Sequence, residues 1–125
     1  MSQQYDVGCR TFTAGGAIAQ YERVKMSGTS VVQAGLTDVG IGIAQRAAAS
    51  GELVAVKLWN SDGTFKMIAA GAVTAGAVVN TAASGKCDDA TTSTSLKLGY
   101  ALEAAAASGD IFEVAANIAL GTTAN

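Results

Sequence analysis

The 125-residue sequence contains no histidine and no proline, and aromatic residues make up only 6% of it. Without histidine, Ser-His-Asp and Cys-His catalysis and the usual histidine-containing zinc sites are excluded. Without proline, turns must be made by Gly, Asn, Asp and Ser. Half of the residues are apolar, but alanine dominates them, and burying a methyl group stabilises far less than burying a leucine. The composition therefore predicts a modestly stable monomer that gains from oligomerisation.

Charge is also sparse, at 14% of residues with a net charge of −2. The eight Lys and Arg residues are scattered singly, whereas a nucleic-acid interface needs a basic stripe, so we predict no nucleic-acid partner. No apolar run reaches the roughly 18 residues of a membrane span, and the N-terminus lacks the pattern of a signal peptide. We therefore expect no membrane partner and folding in a cytoplasm, with Cys9 and Cys87 reduced. The sequence alone leaves a disulfide between them open.

Two stretches of the chain nearly repeat each other. "AAASGELVAV" covers residues 47–56 and "AAASGDIFEV" covers 105–114, with six of ten positions identical. Three further short matches follow the same order, and the four pairs lie 57 to 61 residues apart. Two copies at this period indicate a pseudo-twofold within one domain and not a solenoid, which needs at least about three repeats. We predict half-repeats at about 13–56 and 74–114.

The local patterns favour strands. The run "ELVAVKLW" at 52–59 is rich in β-formers, and "NSDG" joins it to "TFKMIAA" as a hairpin would. The alanine runs favour a short turn or a single helical turn, which the following Ser-Gly would end. We predict an all-β fold, a small barrel or a compact sandwich with only short helical turns. The predicted division of the chain is an N-terminal arm at 1–12 and a single β domain at 13–125.

Two glycine-rich stretches resemble nucleotide motifs but are incomplete. "GIGIAQ" at 40–45 has glutamine where the dinucleotide fingerprint has its third glycine. "SGKCDD" at 84–89 has Cys87 where a P-loop has Ser or Thr. Neither motif therefore supports a nucleotide site, and we predict no cofactor.

The acidic residues do not form a convincing active site either. Asp88 and Asp89 could hold a cation together with Asp62, but adjacent acids in a Ser/Thr-rich loop are more simply a solvated loop tip. Asp110 and Glu113 would point to opposite faces of a strand and so would not act as an acid–base pair. We therefore predict neither a metal site nor an enzyme.

The order of the small-residue motifs resembles a known family. The chain reads Thr-Ala-Gly near its start, then "VGIGIAQRAAASGELVAV", "AGAVTAGAVV" and finally "KLGYALEAAAASGDIFEVAAN". This pattern over residues 11–117 resembles the small capsid cement proteins of tailed phages, also called head decoration proteins. The loop at 84–95 is more polar than the family pattern.

The resemblance implies a β-rich protein of the virion exterior. Such a protein would bind the major capsid protein on the outer face of an expanded icosahedral capsid. It would act as a homotrimer that ties neighbouring capsid subunits together.

Two sets of residues are candidates for contacts. The N-terminal arm carries Tyr5, Val7, Arg10 and Phe12, which could add a strand to a capsid neighbour; the alternative is a frayed terminus. Trp59 follows a predicted strand and could contact the capsid or another copy, since Trp is enriched at interface hot spots. It could equally plug one end of the core.

Two other functional classes remain open at this level. The first is a ligand-binding or enzymatic small β-barrel with a site that needs no histidine. The second is a different structural component of a virion or a cell surface.

Overall fold

The computed structural model describes residues 9–91 and 94–116, which form strands and no helix. The all-β prediction is therefore confirmed. No helix long and apolar enough to cross a membrane occurs in this part of the chain. The strands are β1 (Cys9–Ala14), β2 (Arg23–Ser27), β3 (Ser30–Gln33), β4 (Gly42–Ala44), β5 (Leu53–Leu58), β6 (Phe65–Ile68), β7 (Val78–Thr81), β8 (Cys87–Asp88), β9 (Lys97–Ala101) and β10 (Ile111–Ala116).

The first half, β1–β5, is a closed barrel with the strand order β1-β3-β2-β4-β5. β1 pairs antiparallel with β5, from Cys9 opposite Lys57 to Thr13 opposite Leu53. A short parallel pair between β1 and β3 closes the barrel, and the remaining pairs are antiparallel. Closure removes the free sheet edges that would otherwise be open to pairing.

The second half, β6–β10, has the equivalent order β6-β10-β9-β7-β8. Its strand pairs are antiparallel, and an isolated parallel bridge between Ala69 and Cys87 corresponds to the β1–β3 pair of the barrel. Each strand of the first half thus has a counterpart five strands later with the same neighbours. The internal repeat predicted from the sequence is confirmed at the level of strand order.

Backbone hydrogen bonds give the register of the repeat. Ile18 exchanges two hydrogen bonds with Ala48 at 2.9 Å, and Val73 does the same with Ala105 at 2.9 and 3.0 Å. Ile18 and Val73 are 55 residues apart, not the 61 of the sequence match at this end of the repeat. The Thr-Ala-Gly similarity therefore joins non-equivalent positions. The alanine phrases are equivalent from Gly51 and Gly109 onward, where both glycine N–H groups donate to equivalent carbonyls, those of Ala14 and Ala69. Ala48 and Ala105 are 57 and not 58 residues apart, so the second phrase has one extra residue before its glycine.

The repeated alanine phrase is a connector that delivers the chain into β5 and β10. Gly51 and Gly109 adopt φ of 88° and 93°, a left-handed conformation that glycine enters without steric cost. Of the two expected local forms, the short turn is found and the helical turn is not. The small side chains allow the bridges at Ala48 and Ala105 to form close to the neighbouring backbone.

The buried side chains form two clusters, and one is shared between the halves. The barrel interior contains Phe12, Val24, Val31, Val54, Val56 and their alanine neighbours. The interior of the second half contains Phe65, Met67, Leu98, Phe112 and Val114, but also Val39 and Ile43 from the first half. The two halves therefore pack on each other through apolar contacts. The division into an arm at 1–12 and a domain at 13–125 stays a prediction, although Cys9–Phe12 lie within β1.

Candidate interaction surface

Arg23 is the largest fully buried side chain, and it joins the two halves. Its Nε donates to the Lys86 carbonyl at 3.1 Å, and its Nη2 donates to the carbonyls of Ala82 at 2.6 Å and Gly35 at 3.1 Å. Nη1 donates to the Asp38 carbonyl. Burial lowers the pKa of Arg23 to about 10, so the side chain is still a cation at neutral pH. Its guanidinium thus donates to four backbone carbonyls of the chain itself, so we assign Arg23 a structural role.

An open cleft of about 450 Å³ lies between the halves. Lys57 Nζ donates to the Thr64 carbonyl and lies 4.6 Å from the Phe65 ring centroid. Glu113 Oε2 accepts from Thr64 Oγ1 at 2.5 Å, and Glu103 Oε1 accepts from the Glu113 N–H at 2.9 Å. These charged groups contact backbone groups and the Thr64 hydroxyl. The cleft is thus a junction of the fold, and this pattern of contacts is not that of a prepared ligand site.

The acidic residues at the end of β8 also accept hydrogen bonds from backbone N–H groups. Asp88 Oδ1 accepts from the Ala90 N–H at 3.2 Å, and Asp89 Oδ2 accepts from the Thr74 N–H at 3.2 Å. Burial raises the pKa of Asp88 above its ordinary value. Within residues 9–91 and 94–116, no three Cys, Asp or Glu side chains are grouped so that they could hold a metal ion.

The two cysteines are free and lie in different environments. Cys9 is exposed at the start of β1, while Cys87 is fully buried, with Sγ 3.7 Å from Met67 Sδ. Burial raises the pKa of Cys87 to about 12, so it stays a protonated thiol at neutral pH. The disulfide that the sequence left open is not formed.

The predicted arm residues separate into two groups. Tyr5 and Val7 lie outside the described residues. Arg10 and Phe12 lie in β1, where Phe12 is only 8% exposed and packs in the barrel core. Arg10 is exposed, with its guanidinium 4.9 Å from the Phe12 ring centroid. Polar and apolar residues alternate in Thr-Phe-Thr-Ala, and this pattern predicts a strand. Because the predicted repeat began at Thr13, Phe12 was assigned to the arm.

Trp59 is half-buried at the connection between the halves. Its ring packs on Phe65 with centroids 5.1 Å apart, and its Nε1 donates to the Gly40 carbonyl at 3.0 Å. It thus packs against the shared core. Its suggested contact with the capsid or another copy stays a prediction.

Several large apolar side chains are exposed, and sequence reasoning did not single them out. Leu53 and Ile111 stand at the first positions of β5 and β10, which are equivalent in the repeat. Tyr100, 52% exposed, lies opposite Val78 on the adjacent strand. The remaining members of the set are Met26 and Leu102. Strand alternation gave no signal for Tyr100, because it would place Leu98 on the same face, and Leu98 is buried. The pairing of β7 with β9 shifts register between Val79 and Asn80.

In this all-β chain, the buried and charged groups described above make hydrogen bonds within the fold, and apolar side chains lie on the surface. These properties are those of a structural binding protein. The family model described as "Phage cement protein" matches residues 3–118. The chain therefore belongs to the phage cement protein family, a structural and non-enzymatic family of the phage head. The family resemblance, the virion location and the non-enzymatic class predicted from the sequence are confirmed, and the enzymatic alternative is wrong.

A solved structure shows the same fold. The base of the head fiber gp8.5 in bacteriophage phi29 superposes with a TM-score of 0.71 over 87% of this chain and 92% of that chain. The sequences are 17% identical, so the likeness concerns the fold alone. No curated protein matches the sequence.

Proposed function

We propose that this protein decorates the outer surface of an expanded icosahedral phage capsid and stabilises it by bridging neighbouring copies of the major capsid protein. The observation that carries this proposal is the family match over residues 3–118. The likeness to the base of a phage head fiber supports it, since that protein also belongs to a phage head.

The physical properties of the chain suit a repeated clamp. A cement protein needs no catalytic group, and a modest interface is multiplied by avidity when many copies act on one particle. A homotrimer would bury apolar side chains such as Tyr100, which is 52% exposed. Closed symmetric oligomers are the common way to bury such surface without open-ended growth.

The arm before the barrel is the proposed grip on the capsid. Both neighbours of β1 are supplied by the barrel itself, so the residues before Cys9 are not needed for its ladder. Tyr5 and Val7 alternate there as an added strand requires. Trp59 is a secondary candidate for a contact.

The test is co-sedimentation with purified capsids. We expect the protein to pellet with expanded capsids and not with procapsids, and to raise the temperature at which expanded capsids release their genome or fall apart. Equal binding to both forms, or to neither, would contradict the proposal.

The arm is tested in the same assay with two matched variants. We expect Tyr5→Ser with Val7→Ser to weaken capsid binding, and Gln3→Ser with Gln4→Ser to leave it unchanged. If the first variant folds and binds as tightly as the parent, the grip lies elsewhere, and the polar loop at 84–95 is the next segment to replace.

A further inference from the structure

Three outward-facing residues of the first half form a row across β2, β4 and β5. Arg23 pairs with Ile43, and Ile43 pairs with Lys57. The second half covers all three: Arg23 donates to the Lys86 carbonyl, Ile43 is fully buried in the shared core, and Lys57 Nζ donates to the Thr64 carbonyl. The row is thus the docking face that the first half offers to the second.

The second half carries the equivalent row, but nothing among the described residues covers it. Val78 pairs with Tyr100, and Tyr100 pairs with Ala115. The equivalence follows from Gly42 and Gly99, where an added Cβ would lie 2.1 and 2.0 Å from the carbonyl oxygen of the adjacent strand. Val78 is 37% and Tyr100 52% exposed. A face that is buried in one half is therefore open in the other.

The open row also differs in chemistry. The positions that hold Arg23 and Lys57 in the first half hold Val78 and Ala115 in the second, so both cations are replaced by apolar side chains. A groove of about 360 Å³ adjoins the row and is lined by Ala77, Val78, Asn80, Asp89 and Lys97. An apolar centre with a charged rim is the usual composition of a protein–protein interface.

We propose that the Val78–Tyr100–Ala115 row receives a second copy of this chain in a head-to-tail contact. The repeat identifies the contacting part of that copy. Within the chain, Ile43 and Lys57 of the covered row meet β6 and the residue before it, Thr64, while Arg23 meets the β7–β8 turn. The counterparts of β6 and Thr64 are β1 and Cys9, whose first residues are exposed. The contact is heterologous, and such contacts form a ring when the rotation closes.

This inference rests on the proposed homotrimer and gives its interface. Three copies in a ring would each bury one open row against the β1 end of the next copy. Each Val78–Tyr100–Ala115 row would then be covered by a neighbouring copy, as the first half's row is covered by the second half. A closed ring of three leaves no such row exposed.

The native Cys9 provides the test. We would place a thiol on the row with Tyr100→Cys and, separately, Ala115→Cys, and treat the full-length protein with a short bismaleimide. We expect covalent trimers, because Cys9 of one copy lies beside the row of the next. Cys87 does not interfere, since it is fully buried and its pKa is raised to about 12. Met26→Cys is the matched control, since Met26 is 43% exposed and lies on β2, which is not a strand of the row, so we expect no covalent trimers from it.

The products distinguish the outcomes. Loss of the cross-link when Cys9→Ser is added supports the head-to-tail contact. Cross-linking that survives Cys9→Ser shows an isologous row-to-row contact and overturns the proposal. Trimers by mass measurement without cross-linking at the row would place the interface on another face.

A second variant separates this inference from the proposed function. We expect Tyr100→Asp to raise the trimer dissociation constant at least about tenfold, with the circular dichroism spectrum unchanged. A parent protein that is only monomeric in solution overturns the head-to-tail contact, even if it still pellets with expanded capsids. If Tyr100→Asp abolishes pelleting but leaves the mass unchanged, the row contacts the capsid protein and the proposal is wrong.

Discussion

Arg23 shows how one residue can join two halves that are otherwise held by small apolar side chains. A fully buried cation is costly unless its hydrogen bonds are complete. Here the guanidinium donates to four backbone carbonyls, two from the loop before β4 and two from the β7–β8 turn. Lysine could not replace this arrangement, because an ammonium lacks the planar fork of donors.

Replacing Arg23 should therefore destabilise the protein strongly. We expect Arg23→Met to lower the free energy of unfolding by more than about 3 kcal/mol, because buried carbonyls lose their donor. Arg23→Lys should fall between the parent and Arg23→Met. Urea unfolding followed by circular dichroism measures the change, with the exposed Arg46→Met as the control, which should shift stability by less than about 0.5 kcal/mol. A loss of under 1 kcal/mol for Arg23→Met would show that water can replace the side chain.

At the scale of secondary structure, the two alanine-rich connectors before β5 and β10 form the same turn. Glu52 Oε1 accepts from the Ala49 N–H at 2.7 Å, and Asp110 Oδ2 accepts from the N–H groups of Ala106 at 3.0 Å and Ala107 at 3.1 Å. The acid closes the turn that the left-handed glycine before it makes. The phrase Ala-Ala-Ala-Ser-Gly-acid is therefore one turn used twice, once before β5 and once before β10.

Removing either acid should weaken its own turn. We expect Glu52→Ala and Asp110→Ala each to cost about 1 kcal/mol of unfolding free energy, the usual net value of a hydrogen bond. The two connectors lie in different halves, so the double variant should lose about the sum. Thermal or urea unfolding checks this, with Asp62→Ala in an exposed loop as the control. Single and double variants that are all as stable as the parent would mean that the glycines alone hold the turns.

For the whole molecule, the shared core makes the repeat a single folding unit. Val39 and Ile43 of the first half pack among the side chains of the second, and the backbone N–H of Arg23 donates to the Gly85 carbonyl at 3.0 Å. A duplicated chain can behave as two domains, but here each half completes the other. Neither half should be stable alone.

Unfolding should accordingly be one cooperative transition. We expect Phe12→Ala in the first half and Phe112→Ala in the second each to cost about 3–5 kcal/mol and to shift a single transition. Calorimetry should give equal calorimetric and van't Hoff enthalpies, and Trp59 fluorescence should follow circular dichroism. Two resolved transitions, with each variant moving only one, would show that the halves unfold independently.

Local patterns were sufficient where the physics is local. The β-rich runs predicted the all-β fold, and the absence of histidine excluded histidine-dependent catalysis. The two Ser-Gly phrases predicted the bends at Gly51 and Gly109. The order of the small-residue motifs also indicated the cement family. The repeat could be seen, but its register near Thr13 could not, because identical small residues match at several offsets.

By itself, then, the sequence determined the class of fold, the turns and the family, since each depends on neighbouring residues or on motif order. Only the tertiary structure decided which equivalent residues are covered. Ile43 and Tyr100 occupy the same place in the two halves, yet Ile43 is fully buried and Tyr100 is 52% exposed. The reason is that burial depends on how one half docks on the other, a contact between residues far apart in the chain that no local pattern encodes.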